Sequence, residues 1–275
     1  MTDIGIGNKC NNSCVMCTSI MPPSPKLIEP TTSKILEEIN KNKKSDSFTI
    51  TGGEPTLRED LFEILNYINA NSPAAKIKLI TNGRRLCYIG YTEKLKKIKN
   101  LKVVTELHAD KAMLHDYITQ TNGSFEQAFI GIQNALATEL DVEFRIVISK
   151  LNYNNIPSIA RLVNAEFAEV NRVVIFPIDL IGNAHKNKEK VAVKYSEITP
   201  FVEEALDIIK PKTELYHIPY CVIDKKYHKY IKKGITVLER RVMLSGVCEG
   251  CRYEQQCPRV WKTYLKEFGT GEFRK

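Results

Sequence analysis

Apolar and polar positions change period repeatedly along the first two thirds of the chain. Short apolar runs bounded by turn residues read as strands at Asp3–Gly7, Ser47–Thr51, Lys76–Thr81, Lys102–Leu107, Val142–Ser149 and Arg172–Ile178. Between them, helical spacing predicts helices near Thr32–Asn42, Arg58–Asn71, Thr92–Ile98, Phe125–Thr138 and Asn155–Glu166. Thr31 or Thr32 suits the cap of the first helix, and Pro157 suits the first turn of the last. Strands joined by crossover helices make a parallel sheet buried on both faces, so the fold class is α/β. A break falls near Gly182-Asn183-Ala184, followed by the charged stretch Lys186–Lys190, and divides the chain into 1–185 and 186–275. The second part predicts a helix around Ser196–Ile209 and a strand at Glu214–Ile218.

Composition adds mainly exclusions. The 275 residues are 43% hydrophobic and 26% charged, which is ordinary globular make-up and neither disordered nor collagen-like. The apolar run Val142–Ile148 is broken by Glu143 and Arg145, and nothing approaches the roughly 18 residues of a membrane span. The opening Met1-Thr2-Asp3-Ile4-Gly5 lacks the features of a signal peptide, so a cytoplasmic location is expected, with no membrane partner. The net charge of +8 is dispersed over runs at Lys41–Lys44, Lys94–Lys99 and Lys225–Lys233, which read as solvated faces rather than a nucleic-acid surface.

The eight cysteines change the picture. In a cytosolic chain such a number favours metal binding or catalysis over disulfides. Cys10, Cys14 and Cys17 form C-x3-C-x2-C on a short polar loop after the first strand. A structural zinc site wants four ligands; three thiolates suit a [4Fe–4S] cluster with one iron left open, with a zinc knuckle as the alternative. Cys221, Cys248, Cys251 and Cys257 form a second set, the last three spaced C-x2-C-x5-C; spacing alone leaves zinc and iron–sulfur equally open there. Cys87 stands outside both and reads as a spare or buried thiol.

Three further motifs accompany the first cysteine set. Ser47–Thr51 ends in Gly52-Gly53-Glu54-Pro55, Ile77–Ile80 ends in Thr81-Asn82-Gly83, and His115-Asp116 precedes Gly123-Ser124-Phe125-Glu126. Together with the cysteines, in this order, they resemble the radical S-adenosylmethionine (radical SAM) superfamily. That resemblance implies a partial (βα)6 TIM-like barrel with chemistry at the carboxyl ends of its strands. It implies a SAM-binding [4Fe–4S] cluster on Cys10, Cys14 and Cys17, and Gly52, Gly53 and Glu54 near the SAM ammonium. Glycines would let backbone carbonyls approach, and a carboxylate would offset the charge. Thr81 and Asn82 belong to the same expected SAM site. Met16 stands where an aromatic residue usually touches adenine, and its sulfur could pack on a ring. Glu106 stands about where a serine usually helps to hold SAM. Arg145 has two readings, a fork on the SAM carboxylate or a salt bridge with Glu143. His108 and His115 read as packing or solvated residues, and His115-Asp116 as positioning the next helix.

The superfamily often appends a small cysteine module, SPASM or its shorter twitch form, with auxiliary [4Fe–4S] clusters. Cys248–Cys257 matches its C-x2-C-x5-C part, which implies one auxiliary cluster with Cys221 as the fourth ligand. Tyr216-His217-Ile218-Pro219-Tyr220-Cys221 and the other motifs are loosely similar to maturases of His-Xaa-Ser repeat peptides. The implied activity is reductive cleavage of SAM to a 5′-deoxyadenosyl radical that abstracts hydrogen, with a precursor peptide as substrate, oxidised or cross-linked. A separate recognition protein and a one-electron donor such as flavodoxin or ferredoxin are the expected partners. Radical modification of a small molecule or RNA is the alternative, and a non-catalytic metal-binding scaffold the third reading.

Overall fold

The structure is a computed structural model, and it describes residues 1–19, 28–234, 236, 241–244 and 246–275. Seven parallel strands pair strictly in chain order: β1 (Thr2–Gly5), β2 (Ser47–Thr51), β3 (Lys76–Ile80), β4 (Leu101–Glu106), β5 (Asp141–Ile148), β6 (Arg172–Pro177) and β7 (Thr213–Leu215). The crossovers carry α1 (Thr32–Lys41), α2 (Leu61–Asn71), α3 (Ile89–Lys96), α4 (Ala112–Thr119), α5 (Ser124–Ala137), α6 (Ile156–Glu166), α7 (Gly182–Lys186), α8 (Lys188–Val191) and α9 (Tyr195–Ile208). Beyond β7 come a two-stranded antiparallel ribbon, β8 (Val242–Met243) with β9 (Val260–Trp261), and then α10 (Lys262–Phe268). The order matches the expected partial TIM-like barrel of the α/β class. Among the described residues no helix is long and apolar enough to cross a membrane.

Local chemistry explains the elements. Thr31 Oγ1 accepts from Lys34 N–H at 3.4 Å and caps α1, and Pro157 sits in the first turn of α6. Asp116 holds the start of α5 by accepting from the N–H groups of Gly123 and Phe125 and from Ser124 Oγ, all at 2.7–2.8 Å. The helix α4, which carries His115-Asp116, was not expected from the sequence; it is only eight residues long.

Strand residues alternate between two environments. One face, with Phe48, Ile50, Ile77, Leu79, Val103, Phe144, Ile146 and Ile175, packs with helix residues such as Ile39, Leu65, Ile132 and Phe167 in one buried core. Truncating Phe48 or Phe144 to alanine there costs about 3–5 kcal/mol. The other face of β5–β7 is ionic. Glu143, fully buried, accepts from Arg145 Nε at 2.9 Å and from Arg172 Nη2 at 2.6 Å. Arg172 also reaches Glu214 at 2.9 Å, and Glu214 meets Lys232 at 3.5 Å. Burial pushes the Glu143 carboxyl up, but the two guanidiniums outweigh it and hold it below its usual range.

One boundary needs revision. β7 lies between the predicted module boundary at 185 and the end of the chain, yet pairs with β6 through Val173–Thr213, Val174–Glu214 and Ile175–Leu215. α9 crosses between them and packs on α6, with Arg161 of α6 bonded to Glu204 at 2.9 Å. Strand pairing, helix packing and the Arg172–Glu214 pair therefore carry the sheet to residue 215.

Candidate functional site

The cysteine loop leaves β1 at the carboxyl end of the sheet and is fixed from below by backbone. Gly53 N–H donates to Gly7 O at 2.9 Å, and Glu54 N–H to Lys9 O at 2.7 Å. A Cβ on Gly52 would lie 2.5 Å from Gly7 O, and one on Gly53 only 2.2 Å from Lys9 O. The two glycines thus let the strand end of β2 touch the cysteine loop. Glu29 closes the same junction by accepting from Asn8 and Lys9 N–H at 2.9–3.0 Å.

Glu54 is a brace. Its Oε1 accepts from Thr56 N–H at 3.0 Å, from Thr56 Oγ1 and from Thr81 Oγ1 at 2.6 Å; its Oε2 accepts from Asn82 N–H at 2.7 Å. Burial nevertheless pushes its carboxyl above the usual range, against the pull of those bonds. Both oxygens accept hydrogen bonds within the protein, and the carboxylate ties β2 to β3. Asn82 extends the brace upward, donating to Asn11 Oδ1 at 2.7 Å, with Cys10 Sγ 3.9 Å away. Arg84, which sequence reasoning did not single out, donates to Asn11 O and to Asn12 Oδ1 at 2.8 Å.

The other side of the loop rests on α4 and α7. Ser13 and Val15 N–H donate to Thr119 O and Ile118 O, and Ala184 N–H donates to Cys17 O at 3.0 Å. Asn187 donates to Val15 O at 3.1 Å. Met16 is buried in a small apolar cluster with Ile118, Val147, Ile178 and Leu180. Glu106 is partly exposed, 3.7 Å from His108 Nε2, and its charge reaches Cys14 and Cys17. Its register partner on β5 is Arg145, which the structure pairs with Glu143 and sets 5.8 Å from the Phe176 ring. His108 and His115 are buried and stacked at 5.3 Å, with His115 Nδ1 accepting from His108 N–H at 3.1 Å. Burial, with His108 next, drives the His115 ring down to about 3.

The three thiols fit a shared cationic group. Burial pushes Cys10 up to about 11, and Cys14 and Cys17 above the ordinary thiol range; Cys10 and Cys17 raise Cys14 further, and Cys17 raises Cys10. Asn12 N–H points at Cys10 Sγ and Ser19 N–H at Cys17 Sγ, both at 3.4 Å, as sulfurs held as thiolates require. Gly182, with φ +59°, lets α7 approach; a Cβ there would meet Thr18 O at 2.4 Å.

A second site gathers the remaining cysteines. Cys221, Cys248, Cys251 and Cys257 line one cavity of about 250 Å³, although Cys221 lies far upstream of the other three. Burial pushes Cys257 up to about 11, with Cys221 and Cys248 adding to it. Burial also raises Cys221, and Cys248 and Cys251 contribute. Tyr220 and Tyr253 stack at 4.4 Å beside the cavity. Among the described residues no three His, Cys, Asp or Glu groups are drawn in to single-ion distance. Cys87 belongs to neither site and is half-buried.

The two regions are joined by a cluster that sequence reasoning missed. Asp179, just past β6, accepts from Arg241 at 2.6 Å and 3.0 Å and from Thr263 at 2.6 Å. Trp261 Nε1 donates to Pro177 O at 2.8 Å, and Arg241 lies 5.1 Å over the Trp261 ring. Arg241 and Thr263 are far from Asp179 in sequence, so no local pattern marks the set.

Comparison with known proteins agrees with this geometry. Residues 4–163 match the profile of the radical SAM superfamily. A probable GTP 3′,8-cyclase of Methanocaldococcus jannaschii is 25% identical over 264 residues, 95% of this chain and 80% of that one. A probable GTP 3′,8-cyclase of Sulfurisphaera tokodaii is 25% identical over 214 residues, 77% of this chain; the match spans 66% of that relative's length. Among solved structures, Streptococcus suis SuiB bound to its precursor peptide SuiA superposes with a TM-score of 0.62 at 17% identity, over 75% of this chain and 45% of that one.

Proposed function

Starting from a chain that belongs to the radical SAM superfamily of SAM-dependent enzymes, we propose that it oxidises or cross-links a ribosomally made peptide, using an auxiliary [4Fe–4S] cluster beside the SAM-binding one. A [4Fe–4S] cluster and SAM, when bound, supply by one-electron reduction a 5′-deoxyadenosyl radical that takes a hydrogen atom from substrate. The protein's part is to hold and orient. Cys10, Cys14 and Cys17 hold the first cluster, and the Gly52–Glu54, Thr81 and Asn82 brace keeps their loop in place. Arg145 keeps its Nε on Glu143, and its terminal nitrogens have no hydrogen bond among the described residues, which suits them to the SAM carboxylate. Met16, on the cysteine loop and packed with Ile118 and Val147, is the residue to back the adenine, and Glu106, whose charge reaches Cys14 and Cys17, the one to border SAM.

The observation that carries the auxiliary cluster is the convergence of Cys221 with Cys248, Cys251 and Cys257 on one cavity. An all-thiolate cluster there has no open iron and suits electron transfer with a substrate radical. The catalytic barrel then runs through β7 to Leu215, and the residues beyond it bear the second cluster. SuiB, solved with a precursor peptide, has the same fold and is the precedent for a peptide substrate. Flavodoxin or ferredoxin is the expected electron partner.

A second reading has its own support. The inner face carries Lys78, Lys102, Arg145 and Arg172 interleaved with Glu106, Asp141, Glu143 and Glu214, and the terminal nitrogens of Arg145 suit a small anionic substrate such as a nucleotide. The cyclase relatives fit that reading.

Iron, sulfide and zinc in anaerobically purified protein test the cluster assignment. Two clusters predict about eight irons, falling to about four in a Cys10/Cys14/Cys17→Ala variant or in Cys251→Ala. About four irons with one zinc would make the C-terminal site structural. Formation of 5′-deoxyadenosine with a candidate precursor peptide, measured beside nucleoside triphosphates, separates the substrates. Stimulation by a nucleotide and not by peptide would overturn the peptide reading.

A further inference from the structure

We propose that residues 269–275 form a strap that closes the second cysteine site, with Glu272 as its latch and Arg274 as a positioning residue for the sulfur of Cys221. This rests on the reading that Cys221, Cys248, Cys251 and Cys257 hold an iron–sulfur cluster, and adds what governs that cluster's exposure and electron affinity.

The strap begins with a reversal. Gly269 leaves α10 at φ +70° and ψ −153°, a conformation open essentially to glycine, and the chain doubles back to the start of α9. There Glu272 supplies acceptors to N–H groups that have no partner within the helix. Its Oε1 accepts from Ser196 N–H at 2.8 Å, and its Oε2 from Tyr195 N–H at 3.3 Å and from Tyr264 Oη. A carboxylate at a helix N-terminus is held by charge as well as by hydrogen bonds. Burial pushes the Glu272 carboxyl up, but the bonds from Ser196 and Tyr264 outweigh it and hold it below its usual range. Phe273, the next residue, is buried against Tyr195 and Tyr264, with ring centroids 5.9 Å and 6.0 Å away. Tyr195 donates in turn to His217 O at 2.6 Å, which anchors the latch just beyond β7.

A latched Glu272 and a buried Phe273 fix the course of the residues that follow. Phe273, Arg274 and Lys275 line the cavity that gathers the four cysteines. The Arg274 backbone N–H bonds the Cys221 sulfur. The other backbone donors to the Cys221 and Cys257 sulfurs are Cys221 itself, Tyr220 and Arg259, all within two residues of a cysteine of the set. Arg274 is the donor brought from outside those stretches. An N–H on a cluster thiolate favours the reduced, more negative state, and cover from water acts on the same potential. With the strap unlatched, Cys221 loses a donor and the cavity loses a wall.

The same helix end carries a second carboxylate. Glu197 bonds Lys194 N–H at 3.0 Å and none of the strap residues, so it separates capping of α9 from latching of the strap.

The test uses the full chain with both sites loaded anaerobically and its metals measured on every sample. The Cys10/Cys14/Cys17→Ala variant assigns the signals of the second site. Iron loss from that site to a chelator is timed in wild type, Glu272→Ala and Glu197→Ala. Without bonds to a charged latch the strap should open about tenfold more often or beyond, so Glu272→Ala should release iron faster by that factor and Glu197→Ala at close to the wild-type rate. Reduction potentials are then read by EPR-monitored titration in wild type, in Arg274→Ala, which keeps the backbone N–H, and in Arg274→Pro, which lacks it. The potential of the second cluster should fall in Arg274→Pro alone, with the first cluster unmoved. Equal iron loss in Glu272→Ala and wild type, or equal acceleration in Glu197→Ala, would overturn the latch. An unmoved potential in Arg274→Pro, or an equal fall in Arg274→Ala, would overturn the positioning role. Where Arg274→Pro does not load, the Glu272→Ala and Glu197→Ala comparison decides alone. All of these outcomes leave the cluster assignment intact, whereas zinc in place of iron at the second site would overturn both readings.

Discussion

Gly53→Ala is the sharpest probe of how the fold builds the first cysteine site. The new Cβ would sit 2.2 Å from Lys9 O, 2.5 Å from Asn8 O and 2.6 Å from Lys9 C, all of them backbone atoms. Carbon–oxygen contacts settle near 3.3 Å, so the loop must retreat by about 1 Å. No side-chain rotation relieves the clash. The retreat strains or breaks two bonds, Gly53 N–H to Gly7 O and Glu54 N–H to Lys9 O. Overpacking of this kind costs about 1–3 kcal/mol, and each weakened hydrogen bond about 1 kcal/mol more. Thermal melting of the metal-free protein should therefore fall by about 6–20 °C for a loss of about 3–5 kcal/mol. The loop displaced carries Cys10, one residue beyond Lys9. Anaerobic reconstitution should then leave only the C-terminal site filled, near half the wild-type iron. Wild-type melting with full iron would refute the idea that glycine is needed here for close backbone approach. Normal melting with half the iron would show that the glycine serves the ligand instead of the loop.

Three further outcomes are expected. Glu143→Gln should destabilise the protein by about 2–3 kcal/mol at neutral pH, since it removes the charge that two half-buried guanidiniums share. Because the folded Glu143 carboxyl is held below its ordinary 4.5, its contribution is present above that value and is lost as pH falls through the lower folded one; acid unfolding curves of Glu143→Gln should lack that component. His115 and His217 lie near 3 and 4, each lowered chiefly by burial, so the unfolded chain takes up their protons first: stability should drop as pH falls from about 6.5 toward 4, and both ring signals should stay neutral at pH 5 by NMR. Asn152→Ala removes four buried hydrogen bonds, two donated to His108 O and Val147 O and two accepted from Ser149, and should cost about 2–4 kcal/mol by denaturant titration; a loss under 1 kcal/mol would mean that the ends of β4 and β5 are held otherwise.

The six long strands were legible because each is an apolar run closed by a turn motif, and their observed ends fall within about two residues of the expected ones. β7 was read as a strand, but its partner was not readable: three residues carry too little pattern to say which sheet they join. The motif residues lie at the strand ends, and the structure adds a structural part that they play there. Gly52, Gly53 and Glu54 turn out to hold the cysteine loop to β2 and β3, a function invisible until the backbone is placed. Arg145 offered two partners in sequence, and the short spacing to Glu143 on one strand face favours the pair observed. Arg84, Asp179 and Arg241 escaped notice because their partners lie scores of residues away.

The sharing of β7 between barrel and cysteine-bearing tail bears on modular engineering. A tail cut at residue 185 and grafted to another barrel would arrive with α9 and β7 that belong to the donor's sheet, and would leave behind a β6 with bare N–H and C=O groups along one side. Such an unpaired edge recruits other strands, so the stub would self-associate before any cofactor question arose. A transferable cassette therefore starts after Leu215 and must bring its own replacement for the Asp179–Arg241 and Trp261–Pro177 contacts, the pins that seat it on the strand ends.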